Sequence, residues 1–413
     1  MKVLIAGAGV GGLTLALMLH KRGIESVIFE QASEIREVGV GINILPHAIK
    51  ELAALDLLPK LDAVGIRTQE LHYISRLGQK VWSEKRGTDA GFDYPQFSIH
   101  RGRLQKVIFD AVVAKLGPGA VRTGMKLQGF IQDEGGVVAH FTDAKCGLGS
   151  ETVRGDVLVG ADGIHSVVRR HFDPKQGAPC WQGLMLWRGA TEWHKFLTGR
   201  SMVIAGGMSA KIALYPIAPG AKQDTRLTNW AIVSRIADGE ITPPPVDSWS
   251  RVGRMDEVIP YARRFNVPGV DVEALVRATP VCWEYPMCDR DPLPHWSFGR
   301  VTLMGDAAHP MYPVGSNGAA QAILDARALA DWLRKADHPM QALHEYELDR
   351  LPKTAEIVRL NRKGGPERVI DEVEKRAPAG FEFVDRVLSH AEREAIVKGY
   401  AGKAGFALSQ VNK

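Results

Sequence analysis

Apolar residues along this chain fall into two rhythms. Near the start, and again around residues 160 and 300, they form short unbroken runs: "KVLIA" from Lys2, "SVIFE" from Ser26, "DVLVG" from Asp156 and "GRVTLMGD" from Gly299. Such runs predict strands of a parallel sheet covered on both faces. Helical spacing follows them. "GLTLALMLHKRG" puts Leu13, Ala16 and Leu17 on one face and offers Gly23 as its stop. In residues 98–117, Leu104, Ile108, Val112 and Leu116 recur every four positions, and Arg101 stands at the helix start. After Gly318, the residues Ala320, Leu324, Ala328 and Trp332 step the same way. Residues 34–58 add a Gly39/Gly41 loop before a helix starting near Pro46.

From about 180 to 290 the rhythm changes. "GLMLWRGAT", "SMVIAGG", "KIALYPI" and "NWAIVSR" are short, rich in β-branched and aromatic residues, and separated by loops; Pro243-Pro244-Pro245 marks one loop. This predicts an antiparallel sheet forming a separate, substrate-side unit. Trp181, Trp187, Trp193, Trp230 and Trp283 lie here, as pocket walls or as core filling.

Composition narrows the class. A chain of 413 residues suggests two domains. With 45% hydrophobic and 24% charged residues it reads as globular. The net charge of +5 is spread out, without the basic stripe that nucleic acid requires. Cys146, Cys180, Cys282 and Cys288 have neither zinc nor disulfide-framework spacing, so they read as reduced thiols and no metal is expected. No window is apolar enough for a membrane span. The glycine-bearing N-terminus reads as retained, and the protein as cytoplasmic.

The candidate chemistry starts at Gly7-Ala8-Gly9-Val10-Gly11-Gly12, a GxGxxG turn between a strand and a helix. Gly7 allows the tight turn, Gly9 lets backbone approach a pyrophosphate, and Gly12 lets helix and strand pack. The helix start offers unpaired N–H groups to phosphate. Glu30, ending the second strand, suits a ribose diol. Residues 156–172 repeat strand, turn and short basic helix, with Asp162 in the turn and Arg169 and Arg170 beyond it. Asp162 reads either as a functional carboxylate or as a helix cap. The third such turn holds Asp306, suited to a ribityl hydroxyl or to capping a turn. It runs into Gly315-Ser316-Asn317-Gly318 at a helix start, which favours negative charge such as that of a reduced flavin.

Taken in order, GxGxxG with Glu30, "DVLVGADGIHSVVR" and "GDAAHPMYPVGSNGA" resemble the three fingerprints of the class A flavoprotein aromatic monooxygenases, the p-hydroxybenzoate and salicylate hydroxylase type. Within them, "GVGINILPHA", "MLWRG" and "YPMCDRDPLPHW" are similar to the branch acting on phenazine carboxylates. The resemblance covers residues 1 to about 360. It implies an α/β fold: a discontinuous Rossmann-like FAD-binding domain (1–72, 98–178, 280–362), an inserted, mostly antiparallel β-sheet substrate domain (73–97, 179–279) and a C-terminal helical tail (363–413). It implies non-covalent FAD, NADH or NADPH as reductant and O2 as co-substrate. A small aromatic or N-heteroaromatic ring would be hydroxylated, with or without loss of a carboxylate, through a flavin C4a-hydroperoxide. The assembly would be a monomer or homodimer, with neither nucleic acid nor membrane as partner.

The resemblance also places residues. Gly7, Gly9, Val10, Gly11 and Gly12 would cradle the pyrophosphate, with Glu30 and Gln31 at the adenosine ribose and Leu127 by the adenine. Arg101 and Gln105 would reach phosphate or ribityl, and Asp162 would lie by the pyrophosphate. Gly305 and Asp306 would take the ribityl. Gly41, Gly315, Asn317, Gly318 and Ala319 would serve the ring, with Pro313 near the oxygen-activation site. Leu45, His47, Met185, Trp187 and Tyr215 are candidates for the substrate pocket, and no residue is assigned as a catalytic base. A flavin-dependent reductase of the same fold, or a non-catalytic FAD-binding redox sensor, remains the alternative.

Overall fold

The structure is a computed structural model and describes residues 1–37, 39–145, 147, 149–238 and 251–413. Cys146 and the Pro243–Pro245 loop lie outside the described residues.

The unbroken apolar runs pair side by side as a five-stranded parallel sheet, in the order Val301–Leu303, Val157–Gly160, Lys2–Ala6, Glu25–Glu30, Val121–Thr123. Helices Val10–Lys21, Arg101–Leu116 and Gly318–Lys335 pack together with it. Its interior holds Val3, Leu4, Ile5, Leu13, Leu104, Ile108 and Val112. Leu116 is only half buried, because it lies in the last turn beside the Gly117 stop. A three-stranded antiparallel sheet (Met125–Asp133, Gly136–Asp143, Ser150–Gly155) joins the same core through Leu127, Phe130 and Phe141.

The short β-branched and aromatic runs build a seven-stranded sheet with Cys282–Asp289 and Lys80–Lys85 at its edges. All its pairs are antiparallel except Ser201–Ala205 with Glu70–Ile74. The sheet therefore takes in Cys282–Asp289, past the boundary expected at 279, because that strand pairs along Cys180–His194. Helices Met255–Ala262 and Val272–Arg277 cover one face through Val258, Ile259, Leu275 and Val276. A small antiparallel sheet (Gly41–Ile44, Phe97–His100, Gly65–Arg67) packs on the strand Ala210–Pro219, facing the other side. Among the described residues, no helix is long and apolar enough to cross a membrane.

Candidate functional site

The three candidate turns follow three strands that are neighbours in one parallel sheet, so all emerge at the same edge. Their glycines lock them together. Gly7 has φ +107, and a Cβ there would collide with the Ala161 carbonyl of the second turn. A Cβ on Gly12 would overlap the Gly7 carbonyl. A Cβ on Gly9 meets nothing within 4 Å, so that side of the loop stays open to a ligand. No side chain caps the helix Val10–Lys21 and no acid sits in its first turn, which leaves its N–H groups for an external acceptor.

Polar side chains hold this loop. Glu30 accepts from the Ala8 N–H through Oε2 and from the Ala32 N–H through Oε1, each at 2.8 Å. Gln105 Nε2 donates to the Ala8 carbonyl at 2.7 Å. Gln31 and the Arg101 side chain are exposed, and the Arg101 backbone N–H donates to the Val40 carbonyl at 2.8 Å.

Asp162 caps a helix with one carboxylate oxygen and leaves the other unpartnered. Its Oδ2 accepts from the Val167 N–H at 2.7 Å, capping the short helix Val167–Phe172. Its Oδ1 is buried without a hydrogen-bond partner, and burial raises the carboxyl pKa. Asp306 is reachable by solvent, yet the surrounding protein desolvates it enough to raise its pKa, with His309 and Arg101 pulling it down. Asp306 is thus a solvent-accessible carboxylate whose charged form the neighbouring protein disfavours. Behind it, Asp325 Oδ2 accepts from the Gly305 N–H at 3.0 Å and pairs with His309 Nε2, while Arg350 Nε donates to Oδ1 at 2.8 Å. Arg169, on the short helix, is buried and donates to the carbonyls of Ala307 at 3.2 Å, Ala308 at 2.9 Å and Asp291 at 2.9 Å. It thereby joins the Asp162 turn to the Asp306 turn.

The last turn ends at helix Gly318–Lys335, again with no side-chain cap and no acid in the first turn. A Cβ on Gly318 meets nothing within 4 Å. Ala319 is half buried and Pro313 exposed. The Asn317 side chain turns inward: Nδ2 donates to the Gly315 carbonyl at 3.0 Å and to the Tyr400 hydroxyl at 2.8 Å. The residue is fully buried and its carbonyl accepts from the Gln321 N–H at 2.8 Å, so it serves to hold the turn.

The pocket candidates divide. Along Cys180–His194, alternate side chains point to opposite faces. Met185 and Trp187 join the cluster under helices Met255–Ala262 and Val272–Arg277, and Trp187 stacks on Tyr261 with centroids 4.9 Å apart. Both are core residues on the far face, which corrects the expectation that they line the pocket. Leu186, with Tyr285 packed against its cluster, faces Tyr312 and Val314 of the third turn. Arg188 shares that face: Nη1 donates to the Tyr285 hydroxyl at 3.0 Å and Nη2 to the Gly41 carbonyl. Arg188 Nε is buried without a hydrogen-bond partner. Tyr215 lies close enough to raise the Arg188 pKa, and burial pushes its own up to about 12. Arg188 and Tyr285 were missed in the sequence, although strict alternation from Trp187 puts the arginine on the opposite face. Leu45 and His47 are also corrected to packing residues. Leu45 clusters with Tyr400, Phe406 and Val411, and His47 stacks on Phe406 at 5.7 Å.

Two uncapped helix starts, an open glycine backbone and the accessible Asp306 carboxylate suit a long cofactor with a diphosphate middle and a ring that gains negative charge on reduction, as FAD has. Comparison with known proteins agrees. A family model described as an FAD binding domain matches residues 1–180 and 289–361. The phenazine 1,6-dicarboxylic acid hydroxylase PhzS of Lysobacter antibioticus is 44% identical over 363 residues, covering 87% of this chain and 89% of that protein. The 3-hydroxybenzoate 6-hydroxylase 1 of Aquipseudomonas alcaligenes is 31% identical, covering 87% of each. Among solved structures, Klebsiella pneumoniae HpxO complexed with FAD and uric acid superposes with a TM-score of 0.76 at 21% identity, over 99% of this chain and 97% of that one.

Proposed function

The chain belongs to the class A FAD-dependent aromatic monooxygenases, and from that membership we propose that it hydroxylates a planar N-heteroaromatic ring bearing a carboxylate, using NAD(P)H and O2. Arg188 carries the choice of substrate. It is a cation beside Leu186 and Tyr285 on the sheet face opposite the third turn, with an N–H that no described protein group accepts, whereas the other cation of that sheet near the turn, Lys211, is paired with Glu367. A carboxylate satisfies that donor with a charge-assisted bond. The phenazine dicarboxylate relative acts on a ring of this chemistry.

Bound FAD supplies a ring that accepts hydride from NAD(P)H and activates O2. The chain's residues do the holding. Gly7 to Gly12 and Arg101 serve the diphosphate, Glu30 the adenosine ribose and Asp306 the ribityl chain. The N–H groups at Gly318 and Ala319 stabilise negative charge on the reduced ring. Tyr215 stays protonated at neutral pH, since its pKa lies near 12, and donates to substrate oxygen rather than acting as a base. In balance, one oxygen atom of O2 enters the ring and the other leaves as water. NAD(P)H gives the two electrons, and the displaced group is a ring proton or the carboxylate as CO2. A pyridine-nucleotide reductant suits a cytoplasmic setting.

The test is Arg188→Gln, assayed by NAD(P)H consumption with a heteroaromatic carboxylate and with its carboxylate-free analogue. A hydrogen bond to a charged group contributes about 1.5–3 kcal/mol, so KM for the carboxylate should rise roughly 10- to 100-fold while the analogue changes little. Equal losses with both compounds would reduce Arg188 to a support for Gly41.

A further inference from the structure

The helices from Arg368 to Val411 fold back over the third turn, and one side chain gathers the contacts. Tyr400, on helix His390–Lys403, is 4% exposed. Its ring closes on Gly315, where a Cβ would sit 2.6 Å from Cε1. Its hydroxyl accepts from Asn317 Nδ2 at 2.8 Å and donates to Asn361 Oδ1 at 2.7 Å. Asn361 Nδ2 donates in turn to the Tyr312 carbonyl at 2.9 Å. The rear of the turn is thus tied at Tyr312, Gly315 and Asn317. A second tie runs through Glu367, which pairs with the buried Lys211 of the seven-stranded sheet and lies 3.5 Å from the Gly315 N–H.

The turn needs this support. Gly315 (φ +64) and Ser316 (φ +60) are both left-handed, and for serine that conformation is strained. Strained turns persist where their surroundings over-determine them.

We propose that Tyr400 is a positioning residue for the flavin ring: its hydroxyl and ring fix the 314–318 turn, and through it the N–H groups at the start of helix Gly318–Lys335. This rests on the flavin reading given above. If those groups stabilise the reduced ring, loosening the turn destabilises reduced flavin relative to oxidised flavin. The diphosphate end is held by other loops and is untouched.

Tyr400→Phe keeps the ring and removes the hydroxyl. The expected result is an FAD Kd within about threefold of wild type and a changed visible flavin spectrum. The two-electron reduction potential should fall by about 30 mV, a tenfold shift in the oxidised-to-reduced equilibrium. Ser389→Ala breaks the capping box of the same helix without touching the turn, and should lower thermal stability while leaving the potential in place. A wild-type potential and spectrum in Tyr400→Phe would overturn the proposal, as would an equal shift in Ser389→Ala. If Tyr400→Phe does not fold, Asn361→Leu removes the hydroxyl's acceptor and must lower the potential likewise; an unchanged potential there overturns the proposal. Wild-type protein that takes up no FAD would instead sink the flavin reading itself.

Discussion

At the residue scale, His47 shows how burial decides chemistry. Both ring nitrogens are buried without a hydrogen-bond partner, and desolvation, helped by Arg350, lowers the pKa from 6.5 to about 3. The unfolded chain binds a proton below pH 6.5, whereas the folded one does so only near 3. This contribution to stability is therefore present above pH 6.5 and lost as pH falls through that window, at up to about 1.4 kcal/mol per unit. His47→Phe keeps an aromatic ring against Phe406 and removes the titration. Urea unfolding midpoints between pH 6.5 and 4 should then fall less steeply than in wild type; parallel curves would contradict the burial of a neutral imidazole. The sequence alone left His47 a pocket candidate because its cover, Phe406, lies some 360 positions away. Gly12 was easier to read. It faces a local collision with the Gly7 carbonyl that the GxGxxG spacing encodes, whereas the contact of Gly7 with Ala161 and the inward turn of Asn317 towards Tyr400 are long-range and leave no trace in the motif.

At the scale of elements, the short helix Val167–Phe172 connects two loops through a single cation. Burial and the nearby Arg290 lower the Arg169 pKa to about 10, so it stays charged at neutral pH. Arg169→Met keeps the stem and removes the donors, leaving the Ala307 and Ala308 carbonyls without them. Stability should drop by about 1–3 kcal/mol, read as a lower urea midpoint. FAD retention should drop with it, because Asp306 precedes those carbonyls. Full retention would mean that the two turns hold their places independently. Each of the strands around these turns was legible as an apolar run. Their adjacency was not, since residues 4, 158 and 301 meet through parallel pairing that no local pattern specifies. Likewise, the strand containing Arg188 was legible, but which face it shows the third turn depends on the two helices that cover Met185 and Trp187.

Across the whole molecule, three bodies meet around the third turn. The parallel sheet presents the loops, the seven-stranded sheet presents Arg188, Tyr215 and Tyr285, and the C-terminal helices close behind the third turn. The contrast between apolar runs followed by helical spacing and short β-branched and aromatic runs separated by loops distinguished the first two. Residues 363–413 were legible only as a helical tail and not in what they touch, because their helices are specified by what they cover rather than by a motif of their own. Lys211 with Glu367 is a buried ion pair joining the sheet to this tail, and it has no sequence signature. The central claim concerns what this assembly does, and one isotopic measurement tests it most directly. FAD-loaded protein is supplied with NAD(P)H, isotopically heavy O2 and a panel of N-heteroaromatic carboxylates, and the products are weighed. The account predicts that at least one compound accelerates NAD(P)H consumption and gains a single heavy oxygen on the ring, one product per NAD(P)H. Hydrogen peroxide alone, with every compound recovered unchanged, would contradict it.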